Sequence, residues 1–332
     1  MGCITSRKVG NVKERIRKME IVIQGILLVL GFAMLIKGAD WFVEGASGIA
    51  DRFGIPQLVI GLTIVAFGTS APEAAVSISA AMKGNADITI GNVVGSNILN
   101  ILIILGLTAV ICPIAVQKST FKYEIPYVIL VSVAMFGLGY FDQTVSRVDG
   151  IILWVMMIVY MIYLLNMAKK GEANAEAAVK EEKKPIWKLL ILVAVGLVLI
   201  VWGSDVTVNA ATNIALAFNV SERIIGLTIV ALGTSLPELM TSVTAARKGK
   251  ADIAIGNVVG RNIFNILFVV ATTAVITPVV YAESFLVDSV MMIESAVLLW
   301  LCLLGKEKKL KRWAGAIMLG LYAGYLIYML MS

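Results

Sequence analysis

Residues 60–100 and 225–265 carry the same amino acid at 29 of 41 positions, with no gap in the correspondence. The offset of 165 holds well outside that window. Asp40 answers to Asp205, Glu73 to Glu238, Gly91 to Gly256, Asn100 to Asn265, Pro113 to Pro278, Arg147 to Arg312 and Tyr160 to Tyr325. A chain that repeats itself over roughly 147 residues is built from two copies of one structural unit.

Hydrophobicity says what the unit is. The chain is 59% apolar, whereas soluble domains stay closer to half. Apolar runs near the length that crosses a bilayer recur throughout: 21–36, 58–82, 87–111, 125–140, 148–167, 186–202, 222–246, 252–277, 285–304 and 313–331. Five fall in residues 21–167 and five in 186–332. A Lys-, Glu- and Ala-rich linker, 168–185, lies between the halves, and a basic tail, 1–20, precedes them. An odd number of spans per copy makes the second copy enter the membrane from the opposite side. The expected fold is therefore an all-α polytopic membrane protein, with ten transmembrane helices arranged as two inverted five-helix repeats.

The net charge of +6 is local. Residues 1–18 carry Arg7, Lys8, Lys13, Arg15, Arg17 and Lys18 against Glu14, and the remainder is near neutral. Nothing in this balance suggests nucleic acid. Met19 stands directly before the first span, so residues 1–18 read as an upstream start. With no His there is no His ligand site, and Cys3, Cys112 and Cys302 are too isolated for a zinc site or a disulfide framework. If the end before the first span is outside, the inner loops collect Arg52, Lys118, Lys122, the linker lysines, Arg247, Lys248, Lys250 and the cluster from Lys306 to Arg312, as the positive-inside rule requires.

Two segments break the apolar pattern. Gly68-Thr69-Ser70-Ala71-Pro72-Glu73 recurs as Gly233-Thr234-Ser235-Leu236-Pro237-Glu238. A charge at mid-membrane costs about 2.5–3.5 kcal/mol on insertion scales, which makes such an acid a functional-site candidate. Proline lacks an N–H and clashes with the carbonyl four residues back, which is that of Gly68 or Gly233. Freed carbonyls at membrane depth must be satisfied by protein, water or an ion. On one helical face Ala66, Thr69, Ser70, Glu73 and Ser77 offer hard oxygen donors; the second copy offers Ala231, Thr234, Ser235, Glu238 and Ser242. Such donors suit Ca2+, Mg2+ or Na+ rather than soft metals. A polar stripe accompanies each copy: Asn92, Ser96, Asn100 in the third span, and Asn257, Arg261, Asn265 in the eighth. Gly91 and Gly95 permit close helix approach there. In inverted-repeat transporters, broken helices form the substrate site at mid-membrane between the halves.

The blocks Gly-Leu-Thr-Ile-Val-Ala-Phe-Gly-Thr-Ser-Ala-Pro-Glu and Gly-Asn-Val-Val-Gly-Ser-Asn-Ile-Leu-Asn, with their copies at 226–238 and 256–265, resemble the alpha repeats of the sodium/calcium exchangers. The likeness covers nearly the whole chain from Met19. It implies a secondary antiporter, not an enzyme, that exports Ca2+ in exchange for Na+ by alternating access. It implies no cofactor, and it sets the protein in a prokaryotic plasma (inner) membrane. By position, Glu73 and Glu238 would share Ca2+, with Thr69 and Thr234 adding oxygens. Ser70, Ser235, Ser77, Ser242 and Ser96, with the carbonyls of Ala66 and Ala231, would be Na+ or supporting ligands. Asn100 and Asn265 match the family's central polar position.

One residue departs from that pattern. Arg261 stands where the first copy has Ser96, and arginine cannot ligate a cation. It either snorkels to a membrane face or reaches Glu238 as a tethered charge, which would change the Na+ stoichiometry. The residues also leave a Ca2+/H+ antiporter open, since that would keep the Glu pair without the hydroxyls. A cation channel fits less well, because channels usually share a filter among subunits, whereas a two-fold site in one chain can work as a monomer.

Overall fold

The computed structural model describes residues 2–82, 88–175, 184–218, 233, 235–283 and 285–331, with the side chains of 2–18, 71–73, 75–76, 79–80, 88, 171–175 and 330 left out. It is mostly helical. The first helix, α1 (Gly2–Phe53), runs far past the apolar stretch that ends at Ile36. Leu35, Ala39, Phe42, Val43, Ala46, Ile49 and Ala50 are buried. Their three- and four-residue spacing gives the continuation one apolar face, which suffices to keep it helical where the other face is polar.

Pro56, with its φ preset near the helical value, leads into α2 (57–82), which contains a π-helical turn at Gly61–Val65. α3 (88–111) has a π-helical stretch at Asn100–Leu105. α4 (Thr120–Asp142) opens on another at Thr120–Glu124 and ends at Gln143, whose φ is +49°. α5 is Arg147–Ala175 and α6 is Ile186–Ala217. α7 (Leu236–Arg247), α8 (Ala251–Ile276, π-helical over Asn265–Val270), α9 (Phe285–Cys302) and α10 (Arg312–Met331) follow among the described residues. Among the described residues, seven helices are long and apolar enough to cross a membrane: α1, α3, α4, α5, α6, α8 and α9. Of these α8 is the most enclosed.

Among the described residues, four two-residue strands depart from the all-helical expectation, being too short to show a period of two in the sequence. β1 (Ile114–Ala115) pairs antiparallel with β4 (Lys309–Leu310), and β2 (Thr144–Val145) with β3 (Val279–Val280). Ile114 faces Leu310, and Val145 faces Val279. Adding 165 to β1 gives β3 and subtracting 165 from β4 gives β2, so one pair becomes the other. The 23 residues of α4 separate β1 from β2, a length of about 34 Å at 1.5 Å per residue, so the two pairs close opposite ends of the molecule. At the β1–β4 end, Arg52 donates to the Lys184 carbonyl at 2.9 Å and Gln117 to Asp252 at 2.6 Å. At the β2–β3 end, Gln143 donates to Glu283 at 2.9 Å.

The buried apolar residues form two clusters. The larger joins α2, α3, α4, α5, α8, α9 and α10, and the smaller joins α1, α6, α7 and the starts of α2 and α8. α1 and α6 touch backbone to backbone. A Cβ on Gly38 would lie 2.8 Å from the Gly196 carbonyl oxygen, and a Cβ on Gly196 would lie 2.8 Å from that of Gly38. Small residues of this kind let membrane helices approach closely.

Candidate ion-binding site

The site is built outward from the meeting of α3 and α8. Asn97 donates its amide to the backbone carbonyl of Asn262 at 3.2 Å, and Asn262 returns the same bond to Asn97 at 3.2 Å. Asn100 donates to Asn262 Oδ1 at 2.8 Å, and Asn265 donates to Asn97 Oδ1 at 2.9 Å. Each contact has a mate in which both partners are shifted by 165. A contact in which i meets j and j meets i is the signature of a two-fold relation. All four asparagines are buried.

The expected stripe of Asn92, Ser96 and Asn100 leaves Asn97 and Asn262 out, because spacing by four follows one row of the helix surface. Asn97 lies on the adjacent row, three residues before Asn100. The signal that finds it is identity between the copies, since Asn97 and Asn262 match where Ser96 and Arg261 do not.

α7 carries the second acidic motif. Pro237 occupies its first turn, where a missing N–H costs nothing. The Gly233 carbonyl, four residues before it, accepts the Ser204 hydroxyl of α6 at 2.8 Å. This oxygen is thus satisfied by protein. Glu238 is 1% exposed in the first turn of α7, among buried Ser235, Thr241 and Ser242. Asn257 of α8 donates to Ser242 Oγ at 2.9 Å and to Thr241 Oγ1 at 3.0 Å. The mate in the other half is Asn92, which donates to Ser77 Oγ at 3.0 Å.

One turn beyond Asn257, Arg261 is fully buried, and its Nη1 pairs with Glu238 Oε1. It does not snorkel. The backbone beneath it is held close to α2, for a Cβ on Gly260 would lie 2.6 Å from the Leu62 carbonyl oxygen.

In the first copy α2 continues as helix across Gly68 to Glu73, and the irregular turn lies earlier, at Gly61–Val65. The two copies of the motif therefore meet their helices differently, one inside a helix and one at a helix start. Ala66 is buried just after that turn. Thr69 donates back to the Val65 carbonyl at 3.1 Å, and the buried Ser70 hydroxyl has no hydrogen-bond partner among the described residues. Ser96 is half-buried. The side chain of Glu73, and all of Ala231 and Thr234, lie outside the described residues. What is described is a buried, oxygen-rich region on a two-fold, carrying one carboxylate and one guanidinium. Its hydroxyl, amide and carboxylate oxygens are the hard donors that alkali and alkaline-earth cations take.

The sequence model of the family described as "Sodium/calcium exchanger protein" matches residues 23–166 and again 188–331. The chain is 32% identical over 351 residues to the sodium/calcium exchanger MaX1 of Methanosarcina acetivorans, covering 92% of this chain and 98% of that one. It is 36% identical over 290 residues to the inner membrane protein YrbG of Escherichia coli, covering 83% and 87%. Its fold resembles a solved structure of the sodium-calcium exchanger NCX_Mj soaked with zero Na+ and Ca2+. The TM-score is 0.78 at 34% identity, over 93% of this chain and 99% of that one.

Proposed function

Because this chain belongs to the sodium/calcium exchanger family, we propose that it exports Ca2+ in exchange for Na+, by alternating access between two inverted five-helix repeats of ten transmembrane helices. The observation that carries the reading is the two-fold set of asparagine contacts beside the buried Glu238. The strand pairs support inversion. The relation that exchanges β1–β4 with β3–β2 also exchanges the two ends of the molecule, so its axis runs across the spans.

In this reading Glu73 and Glu238 share Ca2+, and Thr69 and Thr234 add oxygens. Ser70, Ser77, Ser96, Ser235 and Ser242, with the carbonyls of Ala66 and Ala231, serve Na+. Asn100 and Asn265 frame the site. Two facing carboxylates in a low dielectric repel, so the site crosses the membrane only when occupied, which makes exchange obligatory. The protein acts as a monomer in a prokaryotic inner membrane and needs no resident cofactor.

The test is uptake of radiolabelled Ca2+ by proteoliposomes. An outward Na+ gradient is expected to drive uptake, and collapse of that gradient to stop it. Uptake driven by a pH gradient without Na+ overturns Na+ as the coupling ion. Uptake that follows the Ca2+ gradient alone overturns exchange.

A further inference from the structure

The two halves agree at Asn92/Asn257, Asn97/Asn262 and Asn100/Asn265, and they differ at Ser96/Arg261. The exception is the largest fully buried side chain among the described residues, and it is paired with the acid of the second motif. We propose that Arg261 is a resident cation that does the work of one transported Na+, and so fixes the coupling ratio of the exchanger. The proposal rests on the exchange reading above.

Charge arithmetic carries it. A guanidinium stays protonated in proteins and only donates. A buried charge is costly unless paired. Glu73 and Glu238 bring two negative charges, and Arg261 returns one positive. A half-site bearing serine, as at Ser96, leaves both negative charges to mobile ions. With Arg261 in place, one monovalent ion fewer completes neutrality.

Geometry keeps the guanidinium at its post. α8 is pressed against α2 at Gly256 and Gly260, where an added Cβ would lie 3.0 Å or less from α2 backbone, so the base of the side chain has no room to retreat. Arg261 engages Oε1 of Glu238. Oε2 accepts no hydrogen bond among the described residues, so an arriving cation can share the carboxylate without expelling the guanidinium. The Ca2+-loaded site then holds one positive charge more than its serine counterpart, which weakens Ca2+ binding.

Two measurements test this. In proteoliposomes, the Na+ gradient and clamped potential at which net Ca2+ flux reverses give the number of Na+ exchanged per Ca2+. Equilibrium binding of radiolabelled Na+ to the purified protein gives occupancy without any flux. Arg261→Ser is expected to raise both by about one ion, and to lower the half-saturating Ca2+ concentration; the displaced fixed charge sets that increment. Arg261→Lys, which keeps the charge and loses the fork, is expected to retain the wild-type ratio, and it controls for a serine variant that misfolds. Unchanged Na+ occupancy and unchanged reversal in Arg261→Ser overturn the inference, as does a lysine variant that behaves like serine. A wild-type protein with no Na+-driven Ca2+ flux overturns the exchange reading instead, and the Na+ occupancies then decide on Arg261 alone.

Discussion

Asn97 and Asn262 each donate a side-chain amide to the other's backbone carbonyl, at 3.2 Å in both directions. Neither residue can move without releasing its counterpart, and Asn100 and Asn265 are bonded to the same two side chains. The halves of the molecule are therefore tied by polar bonds at their common centre, in a region otherwise packed with apolar residues. Four predictions follow from this and the neighbouring geometry.

Removing the Asn97 side chain leaves the Asn265 amide without its acceptor and the Asn262 carbonyl without its donor, while the Asn262 amide keeps the backbone carbonyl of residue 97. Interhelical hydrogen bonds in membranes average about 0.6 kcal/mol, while orphaned buried groups cost roughly 1–3 kcal/mol. We expect Asn97→Ala to cost about 1–2 kcal/mol, and Asn262→Ala about the same. The double variant should lose roughly the sum, because each single breaks its own two bonds and leaves the other's reciprocal bond to a backbone carbonyl in place. Thermal unfolding in detergent checks this, and a double variant no less stable than either single would contradict two separate bonds.

The two acids should fail in different ways. Glu73→Gln and Glu238→Gln are both expected to abolish Ca2+ transport by halving the negative charge. Glu238→Gln also removes the carboxylate that Arg261 pairs with, and breaking one partner of a buried pair costs about 3–5 kcal/mol. Its unfolding midpoint should fall well below that of Glu73→Gln, and Glu238→Gln/Arg261→Gln should recover most of the loss. A destabilised double variant would show that the pair is not what holds Glu238.

The seam between α1 and α6 has no room for a side chain at Gly38 or Gly196. A Cβ on Gly38 or Gly196 would meet the opposing carbonyl oxygen at 2.8 Å, and overpacking costs about 1–3 kcal/mol. Gly38→Val should therefore destabilise the protein and reduce flux. Gly25 has nothing within 4 Å of an added Cβ, so Gly25→Ala should be neutral or gain up to about 1 kcal/mol from helix propensity. Equal effects at the two positions would exclude close approach at Gly38.

Orientation is set by the end that holds β1 and β4. The loops there carry Lys118, Lys122 and the Lys306–Arg312 cluster, and Arg52 and Lys184 also meet there. Charges of this kind mark the cytoplasmic side. A reporter fused after Ser332 should appear outside, across α10 from that loop. A cytoplasmic reporter reverses the assignment.

The doubled motif made the broad architecture legible because Gly, Pro and Glu inside apolar runs have few structural explanations. The reach of Arg261 was legible for a similar reason, since a charge on an enclosed helix must find a partner. Other features were not. Continuation of α1 to Phe53 depends on a narrow buried face that a run of consecutive apolar residues does not register. The four short strands pair residues far apart in the chain, and two residues carry no periodic signal. Ser204 on the Gly233 carbonyl belongs to another helix altogether, and nothing local to the motif points to it.

The strand pairs also set a timetable. Ile114 is synthesised nearly two hundred residues before Leu310, its partner across the sheet, which at 5–20 residues per second is a delay of roughly 10–40 s. Asn97 waits almost as long for Asn262. During that interval the newborn first half lies in the bilayer with an open strand edge and uncovered amides. A ribosome that stalls before α8 releases a fragment whose unpaired polar groups suit it to quality-control proteolysis, not a smaller transporter.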